Sequence, residues 1–429
     1  MGRSRVLVVS QDSVGERMAG PGIRSFELSR ALAREHDVIL ATRYAPERDG
    51  DGFEMTSHDG RLGELVGGSD VVVAFGGLLA DHPEIARSEA AIVADLYDPA
   101  PFEALVHHAD DPSERRWLAA RDGRRVLEAQ LDRGDLFLCA SERQRDLVVG
   151  MLTVRGRVNP ATVDADPSLD ELVRVVPFGL PAEAPAGSGT HPLRGAVAPF
   201  SADDVVALWG GGVYDWLDPV TLVDAVARAD ERVKAYVMGG RHPTPGVPSM
   251  AARDTAVARA RELGILGTRI VFADEWVPYD ARVDYLVDAD VGVSLHHRHL
   301  ETRYAFRTRV LDYLWAGLPI VCSEGDVVAD LVASRSLGVV VPVSDPGAVA
   351  DALQRLLDDQ TRSDAGARAT RAARDFTWDT VAAPLVDFCR APRRAPDRAA
   401  ELVRWRRRLE IRAGAHEQVD ALRRRLRPR

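Results

Sequence analysis

The densest run of reactive side chains lies between His296 and Asp326, HHRHLETRYAFRTRVLDYLWAGLPIVCSEGD. Arg303, Arg307 and Arg309 gather where a helix should begin, and the free N–H groups of a helix start already favour anions. That combination suits a polyanion. Arg309 alone also reads as a solvated or salt-bridged helix residue. His296, His297 and His299 crowd the same loop. A zinc site would need further ligands at a recognisable spacing, and Glu301 is the only nearby addition. Hydrogen bonding to sugar or phosphate, and a purely structural role, stay open for these histidines.

Four other stretches carry chemistry. Gly210-Gly211-Gly212 ends an apolar strand before a helix opened by Asp218-Pro219, so a diphosphate or sugar could rest against bare backbone N–H groups. Gly20, Pro21, Gly22 and Arg24 stand at an earlier strand-to-helix turn, where glycine could equally be structural. Asp95-Leu96-Tyr97-Asp98-Pro99 closes another strand. Its carboxylates could orient hydroxyl groups, or Asp98 could simply cap the next helix. Trp276-Val277-Pro278-Tyr279 is an apolar loop that either packs or receives a ring.

These residues need elements to hold them. Strand patterns fall at Val6–Ser10, Val38–Thr42, Val71–Phe75, Ala91–Ala94, Leu136–Ala140 and Arg174–Val176. After the Pro-, Gly- and Ala-rich stretch near 181–200 they resume at Val205–Trp209, Ala235–Met238, Arg269–Phe272, Val291–Leu295, Ile320–Cys322 and Val339–Val341. Helical patterns alternate with them, including Ser113–Arg133, Pro219–Arg228, Pro346–Leu357 and an amphipathic helix near Phe306–Trp315 that follows a polar loop. The class is α/β: two doubly wound parallel sheets facing across a cleft. We expect domains at 1–185 and 201–375, a linker at 186–200, a helix at 376–390 and a basic helical tail at 391–429.

The run Asp312-Tyr313-Leu314-Trp315-Ala316-Gly317-Leu318-Pro319-Ile320-Val321 resembles the retaining glycosyltransferases of family four, of the GT-B type. Two departures stand out. The family's first glutamate falls on Tyr304, with Glu301 as a displaced candidate. The Arg and Lys that follow the family's glycine loop are absent from Val213–Asp218. The resemblance implies an N-terminal acceptor-side domain, a C-terminal nucleotide-sugar domain and a final helix crossing back onto the first. It places Gly20, Gly22, Arg24, Gly210, Gly211, Gly212, Val277, Thr308 and Asp312 around the donor, with Asp312 on the ribose hydroxyls. Because the family's cationic pair is absent, the phosphate contact must come from elsewhere in the sequence, with Arg241, Arg303 or Arg307 as the candidates and Arg307 the first of them. Asp95, Asp98 and Glu301 are the candidate catalytic residues. It implies no cofactor and no metal: the nucleotide-sugar donor, of unknown base, is a co-substrate. The acceptor is a glycan, a lipid-linked molecule or a small molecule.

Composition sets the remaining bounds. At 429 residues and 46% hydrophobic, the chain is long enough for two cores. Its apolar runs fall short of the ~20 residues of a membrane span. Cys139, Cys322 and Cys389 read as core thiols of a cytoplasmic protein. Net charge is −10, yet residues 390–429 carry 14 arginines against 5 acidic residues, a net of +9 that leaves −19 on residues 1–389. So acidic a body argues against nucleic-acid binding. The basic tail, apolar at Leu402, Val403, Leu409, Ile411, Val419, Leu422 and Leu426, reads as a solvated partner-contacting helix or a peripheral contact with the inner membrane face. A nucleotide-sugar epimerase and a noncatalytic binding subunit remain alternatives. A nicotinamide dehydrogenase would need the GxGxxG loop, which the sequence lacks.

Overall fold

A computed structural model describes residues 2–195, 197–245, 247, 250–399, 402–406 and 408–409. Two parallel sheets organise it. The first contains β1 (Arg5–Ser10), β2 (Asp37–Thr42), β3 (Glu54–Ser57), β4 (Val71–Phe75), β5 (Ala91–Asp95), β6 (Leu136–Cys139) and β7 (Val173–Val175), in the order β3-β2-β1-β4-β5-β6-β7. The second contains β8 (Val205–Trp209), β9 (Val233–Val237), β10 (Ile270–Phe272), β11 (Val291–Ser294), β12 (Ile320–Ser323) and β13 (Gly338–Val341), in the order β10-β9-β8-β11-β12-β13. Helices cover both faces of each sheet, which is why the strands read as continuous apolar runs. Beside β1 and beside β8 the strand order reverses, and a crevice opens there at the carboxyl ends of the strands.

The expected architecture is present, with three local differences. The edge strand β3 has the sequence EMTS, too short and polar to show as a strand pattern. The helix expected over Phe306–Trp315 runs from Arg309 to Trp315, and the polar stretch before it, which reads as loop, holds a second short helix, Leu300–Tyr304. Residues 186–200 lack periodicity but are pinned to the second domain. Ser188 N donates to Asp284 Oδ1 at 2.6 Å, and Leu193 N donates to Asp288 Oδ2 at 2.7 Å.

The final helix, Trp378–Arg390, is N-capped by Thr377 and returns to the first domain. Its start runs alongside the other interdomain connection: Leu180 N donates to Phe376 O, and Trp378 N donates to Leu180 O. Gly179 has no side chain because the Trp378 ring lies where a Cβ would be, 2.5 Å away. Trp378, Val381, Leu385 and Phe388 are buried on this helix, each contributing roughly 1.5–3 kcal/mol of apolar burial. Ser4 Oγ donates to Cys389 O at 2.6 Å, fastening the far end. Of the tail expected to be helical over 391–429, residues 391–399 form only a single 3-10 turn at Pro396–Arg398, residues 402–406 and 408–409 are helical, and the rest lies outside the described residues.

Candidate functional site

Between the carboxyl ends of the two sheets lies a cavity of about 480 Å³. Asp12, Gly20, Tyr97, Asp98 and Glu103 line it from the first domain. Gly210–Gly212, Tyr214, Trp276, Val277, Arg282, Glu301, Arg307, Thr308, Arg309 and Asp312 line it from the second. Contacts across the mouth hold the domains together. Arg17 Nε donates to Trp276 O at 2.8 Å, Trp276 Nε1 to Met18 O at 2.9 Å, and Tyr279 N to Glu16 O at 2.8 Å.

The glycine loop is set from beneath. Gly292 in β11 has no side chain, and the Tyr313 ring occupies the place of its Cβ, 2.2 Å from Cγ. Tyr313 can therefore lie flat on the sheet and bring its hydroxyl to Gly210 N, from which it accepts at 2.8 Å. Gly211 then turns with φ +81°, a conformation glycine adopts without strain. At Gly212 a Cβ would strike the rings of Tyr214 and Trp276 at 2.8 and 2.9 Å.

Arg309 stands over this loop. Its Nη2 donates to Gly212 O at 2.7 Å, and its guanidinium lies 4.8 Å from the centroid of the Trp209 ring. Nη1 is buried without a hydrogen-bond partner, and among the described residues no carboxylate pairs with this arginine. Burial pushes its pKa down to about 10, with the Arg307 charge adding to the effect, so it stays cationic at neutral pH. An uncompensated cation facing an open cavity is a site for an anion. Chain reading alone passed Arg309 over as a solvated helix residue. The available signal was its position, one turn before Asp312 and level with the glycine loop.

Asp312 faces the cavity with its side chain about one-third exposed, and Arg282 Nε lies 3.5 Å from Oδ1. Burial raises its pKa, and the Arg282 cation partly offsets this. Arg282 in turn lies 3.8 Å from the Tyr279 ring centroid, and the Tyr279 hydroxyl donates to Glu27 Oε1 at 2.7 Å. Asp312 therefore keeps hydrogen-bonding capacity for a ligand. Val277 and Trp276 line the same side of the cavity.

Several expected site residues are engaged elsewhere. Arg24 and Asp95 form a buried two-point ion pair, at 2.6 and 3.1 Å. The same guanidinium donates to Val176 O at 2.9 Å and Pro177 O at 3.0 Å. Neither lines the cavity, so both are corrected to a structural clamp. Arg307 makes a comparable pair with Glu301, both bonds at 2.7 Å, with Asp326 Oδ2 3.6 Å from its Nε. Burial works against the Arg307 charge and the Glu301 carboxylate outweighs it, so its pKa is raised. This pair touches the cavity, but both terminal nitrogens of Arg307 are closed on Glu301.

Gly22 does not line the cavity: its Cβ would meet Ser13 O at 2.6 Å, so its role is close packing. Arg241 and Arg303 are exposed outside the cavity, and the Arg303 carbonyl accepts from Arg143. Asp98 is not a helix cap, because the helix Ala100–His107 starts at Pro99 without a side-chain bond. It faces the cavity instead, its pKa raised to about 7 by burial with Asp95 and Asp12 adding to the shift. The histidines make internal contacts. His299 accepts from Thr302 N as a helix cap, His297 faces Asp218 and Ser344, and burial pushes His296 down to about 3. Among the described residues no group of three metal-ligating side chains forms.

Residues 206–359, most of the second domain, match the family model described as "Glycosyl transferases group 1". A D-inositol 3-phosphate glycosyltransferase of Xylanimonas cellulosilytica is 29% identical over 284 residues, covering 64% of this chain and 62% of the relative. That of Corynebacterium glutamicum is 30% identical over 186 residues, 42% of each chain. The chain thus matches under two-thirds of the length of these curated relatives. Among solved structures, Anabaena HepE in complex with UDP-glucose superposes with a TM-score of 0.66 at 13% identity, covering 91% of this chain and 100% of that one. Sucrose-phosphate synthase of Thermosynechococcus elongatus gives 0.63 at 18% identity, covering 90% and 98%. The fold is GT-B.

Proposed function

We propose, from a second domain that belongs to the group 1 glycosyl transferases, that this chain moves a sugar from a nucleotide-sugar donor to an acceptor hydroxyl with retention and without a metal. The observation that carries this reading is Arg309: a buried cation without a carboxylate, above a side-chain-free loop and one turn from Asp312.

Each role follows from the chemistry of these groups. Arg309 and the Gly210–Gly212 backbone take the diphosphate, where negative charge grows as the glycosidic bond breaks. Asp312 accepts from the two ribose hydroxyls. Val277 and Trp276 flank the base. The acceptor enters against the first domain, where Asp98 and Glu103 line the wall. The leaving phosphate itself takes the acceptor proton, and the Glu301–Arg307 pair holds the cavity wall in shape. Contacts between Met18, Trp276 and Tyr279 across the mouth exclude water, which would otherwise hydrolyse the donor. No helix of the described residues is long and apolar enough to cross a membrane. Contact of the basic tail with a membrane face stays part of the proposal.

Incubation with UDP-, GDP-, ADP- and dTDP-sugars, reading slow release of nucleoside diphosphate, tests the reading. Hydrolysis of one donor supports it, and no binding of any donor overturns it. Asp98, poised near neutrality, also suits proton exchange at the sugar, so appearance of epimerised donor in the same assay would favour an epimerase.

A further inference from the structure

We propose that the acceptor taken by this cleft is an amine-bearing polyol, held as a cation by Asp12, Asp98 and Glu103, and not a phosphorylated one. The inference rests on the transferase reading above and names its acceptor class. The three carboxylates come from separate elements of the first domain: the loop after β1, the loop after β5 and the helix Ala100–His107. All three line the same cavity. Among the described residues none of them forms an ion pair.

The cations that might have served them are taken. Arg24 is closed on Asp95, and Arg307 on Glu301. Those pairings also neutralise Asp95 and Glu301, leaving the other three as the carboxyl groups of this wall without a cationic partner among the described residues. The opposite wall has the reverse character. The unpartnered Nη1 of Arg309 marks where an anion binds, which leaves the acidic wall for the second substrate. The cavity is thus polarised from a cation on the donor side to carboxylates on the acceptor side.

The acidic wall is under electrostatic load. Burial raises Asp12 to about 6 and Asp98 to about 7. Burial also holds Glu103 well above the usual carboxylate range, with Asp98 and Glu301 adding to it and Arg307 opposing. A bound ammonium would relieve this load, whereas a phosphate would add to it. The relatives named for inositol 3-phosphate act by name on a phosphorylated acceptor. Beside this wall Arg24 and Arg307 are both closed on carboxylates, so among the described residues it offers such a group no cation outside an ion pair.

The test is calorimetric titration of glucosamine, glucose and glucose 6-phosphate into the full chain, free and saturated with the nucleoside diphosphate chosen by the donor panel. Glucosamine should bind at least tenfold more tightly than glucose, and glucose 6-phosphate more weakly than glucose. At pH 7 glucosamine binding should release protons and glucose binding should not, because the cation ionises Asp98 and Glu103. The double variant Asp98→Asn/Glu103→Gln should lose the preference and keep its nucleoside diphosphate affinity. Equal binding of the three, preference for the phosphate, or no binding of glucosamine overturns the inference. Absence of nucleotide binding overturns the transferase reading instead, and the titrations of free protein remain readable.

Discussion

Arg309 and Arg307 stand two residues apart on the same cavity wall, and the structure predicts opposite consequences for losing them. In Arg309→Met the side chain keeps its apolar stem against Trp209 but loses the charge. The loss to folding is one hydrogen bond to Gly212 O, about 1 kcal/mol. The gain is removal of a buried cation with an unpartnered Nη1. The melting temperature should hold or rise. Binding of a nucleoside diphosphate, in contrast, loses a charge-assisted hydrogen bond of about 1.5–3 kcal/mol, a weakening of about ten- to a hundredfold. Turnover should fall further, by about 10²–10³, because charge on the phosphate grows in the transition state. In Arg307→Met the order reverses. Glu301 is left fully buried without its counter-charge, which should destabilise the fold by about 3–5 kcal/mol. Thermal melting and nucleotide titration of the two variants decide the matter. Unchanged nucleotide affinity in Arg309→Met, or a strong loss of affinity in a well-folded Arg307→Met, would refute the assignment.

Three further outcomes follow from the same geometry. Asp98 binds its proton more tightly folded than unfolded, so it favours folding most at low pH, and that stability is lost as pH rises from about 4 through 7. Asp98→Asn should therefore melt higher than the parent at pH 8 and no higher at pH 4, as a melting series will show. Tyr313→Phe keeps the ring on Gly292 but leaves Gly210 N without its acceptor. About 1–3 kcal/mol of stability should go, and nucleotide affinity with it, as thermal melting and nucleotide titration will show. Asp312→Ala should narrow the preference for ribonucleoside over 2′-deoxyribonucleoside diphosphates, measured by competition. An unchanged ratio would remove Asp312 from the ribose.

Much of this molecule was legible as sequence. The strands β1, β4, β5, β8 and β11 are buried on both faces by helices, so their apolar runs carry their own evidence. Gly210–Gly212 and Asp312 could be named because a bare loop and a turn-spaced carboxylate have chemistry that needs no partner to be read. The first sheet's edge strand β3, half-buried and polar, left no such pattern. The short helix Leu300–Tyr304 likewise lies in a polar stretch with no apolar periodicity to show it.

What the sequence could not settle was which charge meets which. Arg24 and Asp95 are 71 positions apart, yet they close on each other and leave the ligand set. Arg307 and Glu301, six positions apart, do the same. Arg309 stands one turn before Asp312, but its sequence position does not show that among the described residues no carboxylate reaches it. A buried charge is stable only with a counter-charge or a ligand, and the counter-charge is supplied by tertiary contact. The sequence therefore determined the fold and the location of the cleft; only the tertiary structure decided which of its charges remain for substrate.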